Sequence, residues 1–298
     1  MQVELSDPDL GVLELGCDPY VVASLQIGSP EVRDVTRYRS LADGTLDDTR
    51  FTGARAITLA IRFRDRLLGR CTPDGAPLPS MQNLIDALAP YMTPRRRPTL
   101  TWQLPGSDEL RAAVVRGVNW GYTIEGPKAQ GIAPQWVVPS GEILAGGADA
   151  LHCTTIRPSV DVEAGRTYDL TFDRSYPPSD ALGGRTIVNP GTAPTHWTLT
   201  FFGPVTNPKF TINGVAFKTD RLGGVVLLSG QTLVVDTRTR TVLFNGLPTS
   251  SRYQNTNYDE WNWDDLMLQP GTNVIRFDGT SITAQTSANF CYTPSYIG

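Results

Sequence analysis

A mainly β protein is what the sequence predicts, and its second half predicts a β-sandwich on three observations. Within residues 188–277, apolar residues recur at every second position: Trp197, Leu199 and Phe201 alternate with Thr198, Thr200 and Phe202, followed by Leu233 with Val235, Val242 with Phe244, and Ile275 with Phe277. Alternation of this kind gives a strand one apolar face. Turn dipeptides separate the segments: Gly203-Pro204, Asn207-Pro208, Asn213-Gly214 and Pro270-Gly271. No gap between them has the length of a helix, so short strands joined by turns are the expected architecture.

Composition sets the bounds. The 298 residues suffice for two domains or one large β domain. Hydrophobic residues at 40% and charged residues at 19% describe a globular chain, and 28 Gly with 23 Pro predict many turns and few long helices. A formal net charge of -4 argues against a surface that wraps duplex nucleic acid, which needs clustered Lys and Arg. The N-terminal stretch carries Glu4, Asp7, Asp9 and Glu14 where a secretory signal would place positive charge and an apolar run. Apolar runs such as the one at residues 225–228 fall far short of a bilayer span, so folding in the cytosol is expected. Cys17, Cys71, Cys153 and Cys291 are scattered without the short spacings of zinc or redox motifs, and buried, small hydrophobic thiols are the reading they support.

In chain order, residues 20–27 predict a first strand, ended by Gly28-Ser29-Pro30. A weak alternation over residues 32–38 predicts a second strand. Residues 41–52 are polar, with Asp43-Gly44 and Asp47-Asp48, and form an exposed loop or hairpin arm. The clearest strand of the first half follows, with Ile57, Leu59, Ile61 and Phe63 on one face. Ser80 is placed to cap a helix of about three turns whose Met81, Leu84, Ile85 and Leu88 share a side. Pro90 weakens the last turn of that helix and Pro94 stops it. Arg95-Arg96-Arg97, lying between prolines, read as a solvated turn or an ion-pairing surface. Strands then follow around Trp102, over residues 111–120 and 122–125, and around Trp136. The Gly- and Ala-rich residues 141–150 mark the expected boundary between residues 1–148 and 149–298. Beyond it, strands are expected at residues 152–160 and around Tyr168, Leu170 and Phe172, with residues 175–186 as loop.

One cluster carries residue types that could do chemistry. Asp259, Glu260, Asp264 and Asp265 interleave with Trp261 and Trp263. Two readings stand: a sugar site of tryptophan platforms and carboxylates, with Tyr258, Trp261 and Trp263 as glycan contacts, or a charged loop that buries a Trp. His152 and His196 have no partner at metal-ligand spacing, no serine has a nucleophile-elbow context, and no phosphate loop occurs. The residues by themselves therefore predict no catalytic group, metal or cofactor, and take function no further than a soluble β-rich protein.

A resemblance adds to this. The segments TYDLTFDRSYP, IVNPGTAPTHWTLTFFGPVTNPKF, GQTLVVDTRTRTVLFNG, WDDLMLQPGTNVIRFDG and the closing YTPSY resemble the C-terminal domain of the siphophage distal tail protein (Dit) family, the minor tail proteins of actinobacterial phages. The first half is similar in its polar arm, in GARAITL, in its inserted helix and in its strands leading to Trp136, but Val138 precedes Pro139 where the family often has an acidic residue. The resemblance implies an N-terminal β belt domain with one inserted helix and a C-terminal galectin-like, jelly-roll-like sandwich. It implies a non-enzymatic virion structural protein that forms a homo-oligomeric ring, a hexamer in the family, at the tail tip. That ring would join the tail tube to the baseplate or fibres and let genomic DNA pass without specific binding, which suits an acidic chain. Asp43, Gly44, Asp47 and Asp48 on the arm are the candidate subunit interface, against the plainer reading of a solvent loop. A carbohydrate-binding sandwich that contacts host cell-wall glycans is the alternative function, and an accessory glycosidase using the acidic cluster is a third.

Overall fold

The structure, a computed structural model, describes residues 1–16, 20–29, 32–38, 45–63, 81–124, 130–158 and 184–297. Ser80, Cys17, Cys71 and the strand expected around Tyr168, Leu170 and Phe172 lie outside the described residues. The chain is mainly β and divides into two compact units, Met1–Gly147 with Ile297–Gly298, and Ala148–Tyr296.

The first unit opens on a hairpin that has no clear signature in the sequence, β1 (Val3–Asp7) and β2 (Gly11–Leu15). Val3, Leu5 and Asp7 form its buried row, and the carboxylate in that row hides the alternation. Asp7 is held by Arg96, whose Nη1 donates to Asp7 Oδ1 at 2.9 Å and to Asp9 Oδ2 at 3.1 Å. This is the use of the middle residue of the arginine triplet, because a buried carboxylate needs a charged partner.

Strands β3 (Tyr20–Ile27), β6 (Arg55–Phe63), β9 (Arg116–Ile124) and β10 (Gln130–Val138) form a sheet in the order β3-β6-β10-β9. Its middle strand β6 carries Ile57, Leu59 and Ile61 fully buried, with Ile57 flanked in register by Trp136 and Ile27. A second sheet runs β2-β1-β7-β8-β11, with β7 (Thr99–Gln103), β8 (Leu110–Val114) and β11 (Ile143–Ala145). The chain breaks between β8 and β9 at Val115 rather than at Gly121, because the Val115 N–H turns to the Pro98 carbonyl. Among the described residues, strands β4 (Val32–Tyr38) and β5 (Thr45–Thr52) pair with each other as an antiparallel two-stranded sheet.

Helix α1 (Met81–Leu88) buries Leu84 and Leu88. Its α-helical turns end at Leu88, where the apolar spacing ends, and Ala89–Met92 tightens into a 3₁₀ turn around Pro90, which lacks the N–H for a regular helical bond. That turn lies on β9 at Gly117, where a Cβ would stand 2.4 Å from the Met92 carbonyl oxygen. Gly117→Ala is therefore expected to destabilise the first unit by about 1–3 kcal/mol, the usual scale of overpacking. The urea midpoint of the variant checks it.

The second unit is a two-sheet sandwich. One sheet has the order β12-β21-β14-β18-β19, built from β12 (His152–Ile156), β14 (Trp197–Phe202), β18 (Thr232–Asp236), β19 (Thr241–Phe244) and β21 (Ser287–Tyr292). The other has the order β13-β20-β15-β16, from β13 (Gly184–Asn189), β15 (Val205–Ile212), β16 (Val215–Lys218) and β20 (Gly271–Thr280), with β17 (Val226–Leu227) beside β15. Rings from both sheets meet between them: Trp197 with Phe210 at 5.3 Å, Phe201 with Phe277 at 5.1 Å and Phe210 with Phe290 at 5.5 Å between centroids. Edge-on and offset contacts at such distances are the favoured aromatic geometry.

The Asn213-Gly214 hairpin joins β15 to β16 with φ of 48° and 90°, the left-handed pair that a tight two-residue turn requires. Asn207-Pro208 does not turn the chain. It lies inside β15 as a shift of register between Thr206 and Lys209, with Asn207 at φ 50° and its Oδ1 accepting from Val225 N at 3.1 Å. The strand β13 likewise starts inside residues expected as loop.

Candidate functional site

The acidic and aromatic residues 258–265 lie on the long connection between β19 and β20, which packs on the sandwich core through Trp261, Trp263, Leu266 and Leu268. Trp261 is 6% and Trp263 8% exposed, and both belong to the sandwich core. Their indoles meet edge to face at 5.1 Å, with Trp261 also against Phe217 and Trp263 stacked near Tyr253. Of the two readings the sequence leaves open, this burial fits the charged loop that buries its tryptophans rather than platforms presented to a glycan. A connection this long supplies apolar side chains of its own to the core. Tyr258 is 42% exposed, but its ring is stacked on Tyr253 at 5.3 Å and has the Arg221 guanidinium 4.8 Å from its centroid.

Each carboxylate of the group has a structural partner. Asp259 pairs with Arg221 at 2.6 Å, Glu260 with Lys218 at 3.1 Å and Asp264 with Arg240 at 3.6 Å. Asp265 accepts from the Asn262 N–H at 2.8 Å, closing a capping box on the 3₁₀ turn Trp263–Leu266. Paired surface carboxylates add little stability one at a time, yet here they fasten the connection to β16 and to the loops after β16 and β18.

The hub of this network is Asn257, 2% exposed. Its Oδ1 accepts from Lys218 N and from Trp261 Nε1, both at 2.8 Å, while its Nδ2 donates to Ala216 O and Glu260 Oε2, both at 2.9 Å. One side chain thus satisfies the outer backbone groups of the edge strand β16 and orients both an indole and a carboxylate. The Asn257 hydrogen bond first, and the Lys218 ammonium second, hold the Glu260 carboxyl below its ordinary value. A depressed carboxyl pKa contributes stability above the unfolded-state value, and that contribution is lost as pH falls through the folded-state value. Asn257→Ala is expected to move the Glu260 midpoint up toward the ordinary range, read by carboxyl-carbon NMR titration.

Other signature residues of the second half also work on backbone. Asn189 Oδ1 accepts from Gly191 N at 3.0 Å, and its Nδ2 donates to Ala193 O and Leu268 O at 3.3 Å. Asn245 Oδ1 accepts from Thr232 N at 2.9 Å. Buried Asn273 takes the Gln269 N–H at 3.0 Å and donates to Gln269 O at 2.7 Å and Gly271 O at 2.9 Å. These side-chain amides lock turns in the way short polar side chains do where the chain leaves a strand.

Cys153 and Cys291 correct the expectation of buried thiols. They form a disulfide between directly opposed positions of β12 and β21, with Cys153 exposed and Cys291 half-buried. Sequence spacing hides the pair, because antiparallel register makes neighbours of residues 138 apart. Among the described residues, no three His, Cys, Asp or Glu side chains converge to hold a metal ion. A cavity of about 130 Å³ beside the disulfide, lined by residues that include His196, Asp236 and Arg238, is well below the roughly 300 Å³ of small-molecule sites. Of the candidate interface residues, Asp43 and Gly44 lie outside the described residues, and Asp47 and Asp48 fall on β5, with Asp47 opposite Thr36.

No family model and no curated protein matches the chain. Among solved structures, the Dit protein of phage SPP1, described as a paradigm of the hub adsorption apparatus in phages infecting Gram-positive bacteria, matches over 99% of this chain and 98% of its own, with a TM-score of 0.56 and 12% identity. The phage P2 baseplate in its activated conformation matches over 98% of this chain and 97% of its own, with a TM-score of 0.42 and 10% identity. The chain has the fold of the SPP1 protein along its length.

Proposed function

We propose that a chain with this fold is a structural protein of a phage tail tip, forming a ring that connects the tail tube to the baseplate or fibres and passes DNA through its lumen. The observation that carries the reading is the correspondence of nearly the whole chain with nearly the whole of the SPP1 hub protein, both units included. The acidic net charge fits a conduit that does not hold phosphates. The carboxylates of residues 259–265, engaged with cations and backbone, fit a protein that acts by assembly rather than by bond chemistry. Self-association through the β4–β5 hairpin, with Asp43, Gly44, Asp47 and Asp48 at the contact, belongs to the same proposal, as does manufacture in the host cytoplasm before incorporation into the virion.

Light scattering and negative-stain images of the purified protein test it. The expected result is a closed ring of several 32.5 kDa chains, and the same protein detected in purified tails. A monomer at high concentration, together with absence from tails, overturns the reading. Asp47→Lys with Asp48→Lys is expected to lower ring formation at least about tenfold if the hairpin sits at the contact, since charge reversal at an interface costs on the order of kilocalories.

A further inference from the structure

We infer that the Cys153–Cys291 disulfide is a clasp on strand β12 that a low-molecular-weight thiol opens in the folded protein, releasing β12 while the rest of its sheet stays in place. Three observations converge on this. The strand is at the edge of its sheet, paired among the described residues with β21 alone. Both sulfurs are on the solvent side: Phe290 and Tyr292 of β21 point to the core, and Cys291 lies between them in the alternation, opposite exposed Cys153. An attacking thiolate therefore needs no unfolding to reach the bond.

The third observation is the uneven share of the core. Strand β12 contributes Ile156 to it, while β14 and β18 contribute Trp197, Leu199, Phe201, Leu233 and Val235. Among the described residues, the ladder to β21 is supplemented by the stacking of His152 on Tyr292 at 5.3 Å and by the Arg185 guanidinium donating to Thr155 O at 3.1 Å. Loss of the covalent tie leaves this edge strand with one ladder and one core side chain, against the two ladders and several core side chains of β14. The clasp and its opening are independent of the tail-tip reading.

The chemistry balances with two equivalents of thiol. A thiolate attacks the exposed Cys153 sulfur, forming a mixed disulfide, and Cys291 leaves as a thiolate that takes a proton from water. A second thiol attacks the small-molecule sulfur of the mixed disulfide. The Cys153 thiol is released and the two small thiols are joined as their own disulfide, so the protein gains two electrons and two protons.

The test uses the full-length folded protein with and without millimolar glutathione, followed by alkylation with peptide mapping and amide hydrogen exchange. Both Cys153 and Cys291 are expected to be alkylated after glutathione without denaturant. Exchange over residues 152–156 is expected to rise roughly tenfold or more, while residues 198–202 and 232–236 stay within about twofold. The C153S/C291S variant is expected to reproduce the reduced pattern without glutathione. If that variant does not fold, the wild-type comparison decides alone. Thiols that react only in denaturant, unchanged exchange in β12, or an equal rise in every strand would each overturn the inference.

Discussion

Trp197→Ala lowers the stability of the second unit by about 3–5 kcal/mol, the range for deleting a large aromatic side chain from a packed core. Trp197 is 2% exposed and packs against Phe210 of the opposite sheet and Phe290 of its own, so its loss opens a void between the two layers. The indole Nε1 also donates to the Leu266 carbonyl, which fastens the long connection to the sandwich. Trp197→Phe separates the two contributions: most of the packing is kept, and the buried carbonyl is left without its donor, at about 1–3 kcal/mol. Urea unfolding followed by hydrogen exchange at Phe201 and Phe290 reads both variants. Equal stability of Trp197→Phe and the wild type would remove the hydrogen bond from the account.

Asn273→Ala costs the same unit about 3 kcal/mol, because one deletion strips partners from several backbone groups at once and each unsatisfied buried group costs roughly 1–3 kcal/mol. Asn273 also accepts from Asn213 Nδ2 at 2.7 Å, and Asn213 Oδ1 in turn accepts from Val274 N at 2.9 Å. The β15–β16 hairpin is thereby tied to the turn before β20, and both are expected to loosen together. Asn273→Asp keeps the shape and the acceptors but sets carboxylate oxygens against the Gln269 and Gly271 carbonyls. Its deficit is expected to grow as pH rises through the ordinary aspartate range, near about 4. Thermal unfolding of both variants at two pH values checks the magnitude and the sign.

The sandwich was legible in the sequence because its strands obey the simplest rule available. Trp197, Leu199 and Phe201 alternate with threonines, and all three lie in the core. Asn213-Gly214 adopts the left-handed pair its composition demands. The misses share a physical cause, which is that a distant residue changes what a local pattern means. Asp7 breaks an apolar row until Arg96 is seen beside it. Asn207-Pro208 looks like a turn until Val225 is seen occupying the Asn207 amide. The acidic cluster is the sharpest case. Lys218 and Arg221 are about forty residues from Glu260 and Asp259 in sequence, and only the fold brings them together and shows that Trp261 and Trp263 beside the carboxylates point inward. The same holds for Cys153 and Cys291, whose pairing depends on register and leaves no trace in spacing.

The amide locks have an evolutionary corollary. When corners are pinned from within by Asn189, Asn257 and Asn273, and layers require only that every other residue be greasy, many outward-facing letters are left unconstrained. Such a scaffold tolerates wholesale rewriting of its exterior. Its outer surface can be refitted to new neighbours without rebuilding the interior.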